Sequence, residues 1–319
     1  MHDDMMSTNA HYEYPVDLSE IFARIKNGEY GPLDQAGLPL VDYERLFAAN
    51  RIKSKTPIGA HYTPVTLAFF ALGNLQSDLV AVRRVAEWFV AHQIDSRGTG
   101  GVWLHRFPMP HLPPLIEYLP GAWISAMAQG LGASVLLRAS AIFNAPHFFA
   151  AARGALDCFR YSTSRGGVAH ELNAGNIFLE EFPADPPMHV LNGALFALIG
   201  LHEFLQHERF EEFERTYRRA LQGVLQLLPR FDAGYASYYD LRGRQIANAS
   251  YHDLHIRLLH AMANLSGEAE FQRTAARWQE YTMHHIKRAL WWCADKRWAL
   301  CRRLMRFDGR VRQRVENHL

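Results

Sequence analysis

The sequence predicts an all-α protein: an α/α toroid, incomplete or closed, of about four helical hairpins behind an irregular N-terminal segment. Three observations predict it. From residue 62 the apolar residues recur at helical spacing and continue to do so. The chain also repeats itself loosely: "GTGGVWLH", "SRGGVAHE" and "DAGYASYYD" each precede a loop and an apolar helix, with Gly101, Gly167 and Gly234 standing 66 and 67 residues apart. That spacing is longer than the roughly 20–50 residues of a simple solenoid. Finally, strongly apolar helices alternate with half-polar ones, as a toroid requires of its inner and outer layers.

Taken in order, residues 1–60 read as an irregular segment packing on the toroid, because "NGEYGPLDQAGLPLVDY" is dense in Gly and Pro. Residues 61–285 read as the catalytic domain. Its first helix starts at Pro64, where the missing N–H costs little. Ser77 is the cap expected for the next, "SDLVAVRRVAEWFVAHQ". Three further pairs follow. "GAWISAMAQGLGASVLLRASAIF" goes with "PHFFAAARGALDCFRY", and "MHVLNGALFALIGLHEFLQ" with "ERFEEFERTYRRALQGVLQLL". "YHDLHIRLLHAMANL" goes with "EAEFQRTAARWQEYTMHH". The loops between pairs are long, and they collect Gly, Tyr, His and Glu, which marks them as the functional end. Residues 286–319 read as a basic amphipathic extension.

Composition narrows the class. With 49% hydrophobic and 21% charged residues, 319 residues suffice for a sizeable core and argue against disorder. The formal charge of +2 argues against a nucleic-acid partner, but ten Lys/Arg against three Asp/Glu from Lys287 onward suggest an anionic contact for the tail. Three scattered cysteines form neither a disulfide framework nor a CxxC site. The polar start "MHDDMMSTNAHYEY" lacks the features of a secretory signal, and no charge-free apolar run reaches about 18 residues. A cytoplasmic setting, at the inner face of the membrane if the tail binds lipid, is the default expectation. A homodimer is left open.

Several motifs have ordinary readings. His202 and His207 in "HEFLQHE" are five apart, so they do not share a helix face as a zinc pair would. His252 and His255 in "YHDLH" are three apart and fit hydrogen bonding better than metal binding. Glu180 and Glu181 in "NIFLEEFPADPP" suggest a glycosidase pair, but adjacent side chains point in different directions and cannot flank one sugar. One is expected to face the cleft, and the other to be held by structure or exposed. "YASYYDLRGRQIANASYHDLHI" gathers Tyr235, Tyr238, Tyr239, Tyr251, Arg242, His252 and His255. It reads either as an aromatic wall with a snorkelling arginine, or as phenols for acid–base work beside a carboxylate clamp.

"GAWISAMAQG", "EEFPADPPMHVLNGALFALIGL", "YDLR" and "YHDLHI", with "RGGV" and the late "ARWQEY", resemble the C-terminal domain of the D-glucuronyl C5-epimerases. The resemblance covers roughly residues 58–282, in the family's order. It implies an α/α toroid acting on a heparan-type acidic polysaccharide (heparosan in its unsulfated form). It assigns Glu181 and Tyr251 as catalytic acid/base groups, Tyr239 as a further active-site tyrosine and Arg242 as a contact to the substrate carboxylate. Glu180, Phe182, Asn192, His252 and His255 are expected as further substrate-side residues. One departure stands out: the family usually reads Glu-Glu-Tyr-Pro, whereas this chain has Phe182.

Epimerisation at C5 removes a weakly acidic proton α to a carboxylate, so the carboxylate must be polarised and the enediolate-like intermediate stabilised. Inversion needs acid/base groups on both faces of the sugar. No metal and no organic cofactor are required. If the 4-O substituent leaves first, the same step becomes a lyase reaction, and a non-catalytic glycan-binding relative is the third outcome. The tail interleaves Trp291, Trp292, Trp298 and Leu304 with cations. It reads as a helix docked on the toroid or, alternatively, as one lying on an anionic membrane surface.

Overall fold

In the computed structural model the apolar runs become helices where their periodicity places them. The structure describes residues 13–49, 58–96, 98–109, 119 and 121–304; for 47–49 and 295–304 it describes the backbone alone. Four hairpins form the body. Inner helices α3 (Pro64–Gly73), α5 (Ala126–Phe143), α7 (Leu191–His207) and α9 (Ala249–Ser266) alternate with outer α4 (Leu79–His92), α6 (Pro146–Leu156), α8 (Glu211–Leu227) and α10 (Ala269–Met283).

Local chemistry sets the starts. Thr63 Oγ1 accepts from Thr66 N at 3.2 Å and Pro64 opens α3. Asp78, rather than the expected Ser77, caps α4, accepting from Ala81 N at 3.0 Å. The Ser77 hydroxyl instead closes the preceding turn on Asn74 Oδ1 at 3.3 Å. Burial follows the expected layering. Every residue of α5 from Ala126 to Ala139 is buried, whereas α8 buries Phe213, Thr216, Ala220, Val224 and Leu227 at helical spacing. By length and composition α5 could cross a membrane, but it is enclosed by its neighbours as a core helix.

Inner helices pack in sequence: α3 on α5, α5 on α7, α7 on α9. The α5–α7 approach is so close that a Cβ at Gly200 would lie 2.2 Å from the Gly130 carbonyl oxygen. Among the described residues α9 does not return to α3 with a comparable interface, so the toroid is incomplete. The N-terminal segment spans that side. It was expected to be irregular, yet it contains α1 (Ser19–Lys26), which packs on α3, and α2 (Tyr43–Ala49). The Asp17 carbonyl accepts from Arg257 of α9, and the Glu13 carbonyl accepts from Arg138 Nη2 at 2.8 Å. Arg138 is itself held by a bidentate pair to Glu203, at 2.7 and 3.0 Å, so no buried charge is left unpaired there.

The long loops carry short antiparallel ribbons instead of a sheet: β1 (Val41–Asp42) with β2 (Ala60–His61), β3 (Ile94–Asp95) with β4 (Gly101–Val102), β5 (Leu104–His105) with β6 (Trp123–Ile124), and β7 (Ala169–Glu171) with β8 (Ile177–Leu179). After α10 the chain continues as α11 (His285–Leu304). Its Trp291 donates to the Ala247 carbonyl at 2.9 Å and packs 4.9 Å from the His252 ring, so the start of the tail docks on the toroid. The side chains of Trp298 and Leu304 lie outside the described residues.

Candidate active site

The loops that matter meet where the inner helices begin. β8 runs on through Glu180, whose carbonyl accepts from Ala126 N at 3.0 Å and so ties this strand to the start of α5. The loop to α7 is knitted to the loop before α9 by a Val190–Asp240 bridge. Leu191 N also donates to the Tyr239 carbonyl at 3.3 Å, and Arg242 N to the Met188 carbonyl at 3.2 Å. The Asp240 carboxylate folds the "YDLRGR" turn by accepting from Gly243 N at 2.5 Å. Asn248 caps α9 by accepting from Tyr251 N at 2.9 Å, which places Tyr251 in the first turn. Three successive segments thus bring Glu181, Tyr239, Arg242 and Tyr251 to one end of the toroid.

There Glu181 Oε2 accepts from Asn192 Nδ2 at 3.4 Å. Burial pushes the Glu181 carboxyl up to about 8; the Asn192 bond opposes this and the Glu180 charge adds to it. The Tyr239 and Tyr251 rings meet edge to face at 4.9 Å. Burial holds both phenols above their ordinary range, and the Glu181 charge pushes them further. Their mutual hydrogen bond raises Tyr239 but lowers Tyr251, so Tyr251 is the phenol that this bond favours as phenolate. Tyr251 is 39% exposed, which leaves it reachable from solvent even though its hydroxyl is crowded by these neighbours.

Four of the residues expected on the substrate side are enclosed instead. Glu180 is fully buried, with Oε1 2.6 Å from His189 Nδ1 and Oε2 accepting from His189 N at 3.0 Å, so it anchors the loop. The two bonds to His189 fix Glu180 inward, whereas Glu181, next in the chain, turns to Asn192 and stays partly exposed. Asn192 is 2% exposed and donates to Glu181. His252 and His255 are both fully buried. Ser237 Oγ lies 2.8 and 2.9 Å from their Nδ1 atoms, and both rings pack near Trp278. His252 is turned about 100° from Tyr251 around the helix, and His255 lies a full turn deeper. Arg242 stays half-exposed, with one Nη1 contact to the Pro186 carbonyl at 3.3 Å. Phe182 is half-buried and packs 5.3 Å from Trp123. Among the described residues no group of three or more His, Cys, Asp or Glu could hold a metal.

Two features escaped the sequence reading. A Cβ at Gly193 would lie 2.5 Å from Glu181 Cβ and 2.6 Å from its Oε2, so Gly193 makes room for the carboxylate. The Arg24 guanidinium, from α1, draws the Tyr251 phenol down while Tyr30 pushes it up. The cation that acts on the Tyr251 phenol thus belongs to the N-terminal segment, which no local motif signals.

Comparison with known proteins identifies the family. A family model described as D-glucuronyl C5-epimerase C-terminus matches residues 98–280, a span that holds the whole Glu181–Tyr251 arrangement and three of the four hairpins. The D-glucuronyl C5-epimerase of Caenorhabditis elegans is 36% identical over 214 residues, which is 61% of this chain and 34% of the worm protein. An uncharacterised protein of Methanocaldococcus jannaschii is 24% identical over 182 residues, covering 56% of this chain and 57% of that one. The chain thus spans about a third and somewhat over half the length of these two relatives. A solved GH76 α-mannanase from Bacteroides thetaiotaomicron aligns over 67% of this chain and 54% of its own, with a TM-score of 0.41 and 11% identity, too distant to bear on the site. With its site residues and most of its toroid inside the matched span, the chain belongs to the D-glucuronyl C5-epimerase family.

Proposed function

We propose that this protein is a uronic-acid C5-epimerase that converts D-glucuronate to L-iduronate residues within an acidic polysaccharide. The observation that carries the reading is the Glu181 carboxyl, held near 8 beside a phenol pair supplied by a different loop. Glu181 as carboxylate takes the C5 proton, and the electron pair of the broken C–H bond moves into the adjacent carboxylate to give an enediolate. Arg242 spends one donor on Pro186, and its guanidinium has four more N–H groups to neutralise the developing charge. The Tyr251 O–H then delivers a proton to the opposite face, leaving a phenolate and a protonated Glu181. Tyr239 stabilises that phenolate through the hydrogen bond it shares with Tyr251.

The active form carries one proton on the Glu181–Tyr251 pair. Its two tautomers hold the same proton count, so both directions share one pH dependence. With Glu181 near 8, the active fraction grows from about a tenth at pH 7 to about a half at pH 8. We expect kcat/KM to rise roughly fivefold across that interval in either direction, read by initial rates in matched ionic strength.

Gly193→Ala should act on the same group. The added methyl displaces the Glu181 carboxylate, so kcat should fall about a hundredfold while the melting curve stays cooperative. Steady-state kinetics together with calorimetry check both parts.

The reading is tested by incubating a glucuronate–hexosamine polymer with the protein in D₂O and recording NMR spectra. Deuterium at C5 with growing iduronate signals is the expected result. An ultraviolet absorbance from a 4,5-unsaturated uronide would make the protein a lyase, and no exchange at all would leave only glycan binding.

A further inference from the structure

A pocket of about 250 Å³ opens on the same end of the toroid and is lined by His61, Tyr62, Trp88, His92, Trp103 and Arg106 among others. Its position follows from the chain path. His61 and Tyr62 immediately precede α3, and His92 ends the antiparallel α4. Leu104 and Arg106 lie on and just after β5, whose partner β6 leads straight into α5. All of these elements meet at the end where Glu181 precedes α7 and Tyr251 opens α9. Aromatic contacts join the two sites: Phe182 to Trp123 at 5.3 Å, Trp123 to Phe107 at 6.2 Å, and Phe107 to His61 at 5.0 Å.

The lining has the chemistry of a site for an acidic sugar. The His92 ring lies flat on Trp88, at 4.2 Å and 13°, and His92 is exposed, which extends an aromatic wall into solvent. Such walls suit the apolar C–H face of a pyranose, while a few polar groups set its orientation. The indole N–H of Trp88 is enclosed and has no hydrogen-bond partner, so the wall holds an unmet donor. Arg106 is exposed and makes no ion pair among the described residues, although a guanidinium fork is well matched to a carboxylate. The cavity is slightly smaller than the roughly 300 Å³ at which drug-sized pockets begin, a size suited to a single sugar ring.

We propose that this pocket is a distal subsite that binds a further uronate residue of the polymer, with Arg106 on its carboxylate and the Trp88–His92 wall against its ring. The inference rests on the acidic-polysaccharide reading above. It makes affinity depend on chain length, because a disaccharide at Glu181 is too short to fill the distal pocket as well.

Calorimetric titration of the full chain with a long unsulfated glucuronate–hexosamine polymer and with a disaccharide of the same repeat tests it. Wild type should bind the long chain more tightly, and Arg106→Glu should reduce that advantage about tenfold, with Arg106→Lys in between. His92→Ala, also at an exposed position, should reduce it in the same direction. The proposal is overturned if wild type gains nothing from length, or if the gain survives in Arg106→Glu with an unchanged melting temperature. C5 exchange is measured on the same samples. Exchange without an Arg106-dependent length effect removes the subsite alone. An Arg106-dependent length effect without exchange removes the epimerase reading and keeps the subsite.

Discussion

Replacing Glu181 with glutamine is expected to abolish inversion at C5, lowering kcat by about a thousandfold or more, and at the same time to stabilise the fold at alkaline pH. The two effects share a cause. The folded protein holds the Glu181 carboxyl near 8, against 4.5 for a free glutamate, because ionising it means charging a group that burial has stripped of water. A carboxyl whose folded value is raised binds its proton more tightly in the native state. Its favourable contribution is therefore complete below about pH 4.5 and is lost as pH climbs toward 8. Glutamine never ionises, so the melting-temperature gap between variant and wild type should be small at pH 5 and widen up to pH 8–9. The full shift corresponds to an upper bound of about 5 kcal/mol. Calorimetry across that range, beside exchange measured by NMR, checks both halves. A variant that loses activity but shows no widening gap would place the raised carboxyl elsewhere.

Tyr251→Phe is expected to remove inversion just as completely but to leave a different residue of activity. With the phenol gone, no proton reaches the opposite face, so kcat for epimerisation should fall by about a thousandfold or more. Glu181 remains and can still take the C5 proton and return it, or a solvent deuteron, to the same face. Slow deuterium incorporation into one epimer without inversion should therefore persist in Tyr251→Phe and be absent in the Glu181→Gln/Tyr251→Phe double variant. The fold should survive, because Tyr251 is 39% exposed and its hydroxyl bonds chiefly to Tyr239. If Tyr251→Phe inverts at close to the wild-type rate, the second proton donor is another group, and Tyr239 is the next to replace.

The hairpins were legible because inner and outer helices differ in composition as well as in period: α5 and α7 are apolar almost all round, while α8 and α10 carry one buried stripe. The direction of Glu181 was half legible. Strand alternation says that it and Glu180 diverge, but not which of the two turns inward; the His189 clamp on Glu180 decides that. The histidines misled because a spacing of three puts His252 and His255 on one face of a helix without saying whether that face meets solvent or core. Ser237 and Trp278 take them into the core. α1 went unseen because Gly and Pro immediately after it dominate the local pattern, and a short helix depends on packing for its stability.

By itself the sequence determined the class of fold and the order of its hairpins, because periodicity is a local property, while its resemblance to a family supplied the candidate acid/base groups. Only the tertiary structure decided which of those candidates lie together at one end of the toroid and how burial shifts them. Proximity, burial and the space that Gly193 leaves for Glu181 depend on segments far apart in the chain, down to Arg24 acting on Tyr251.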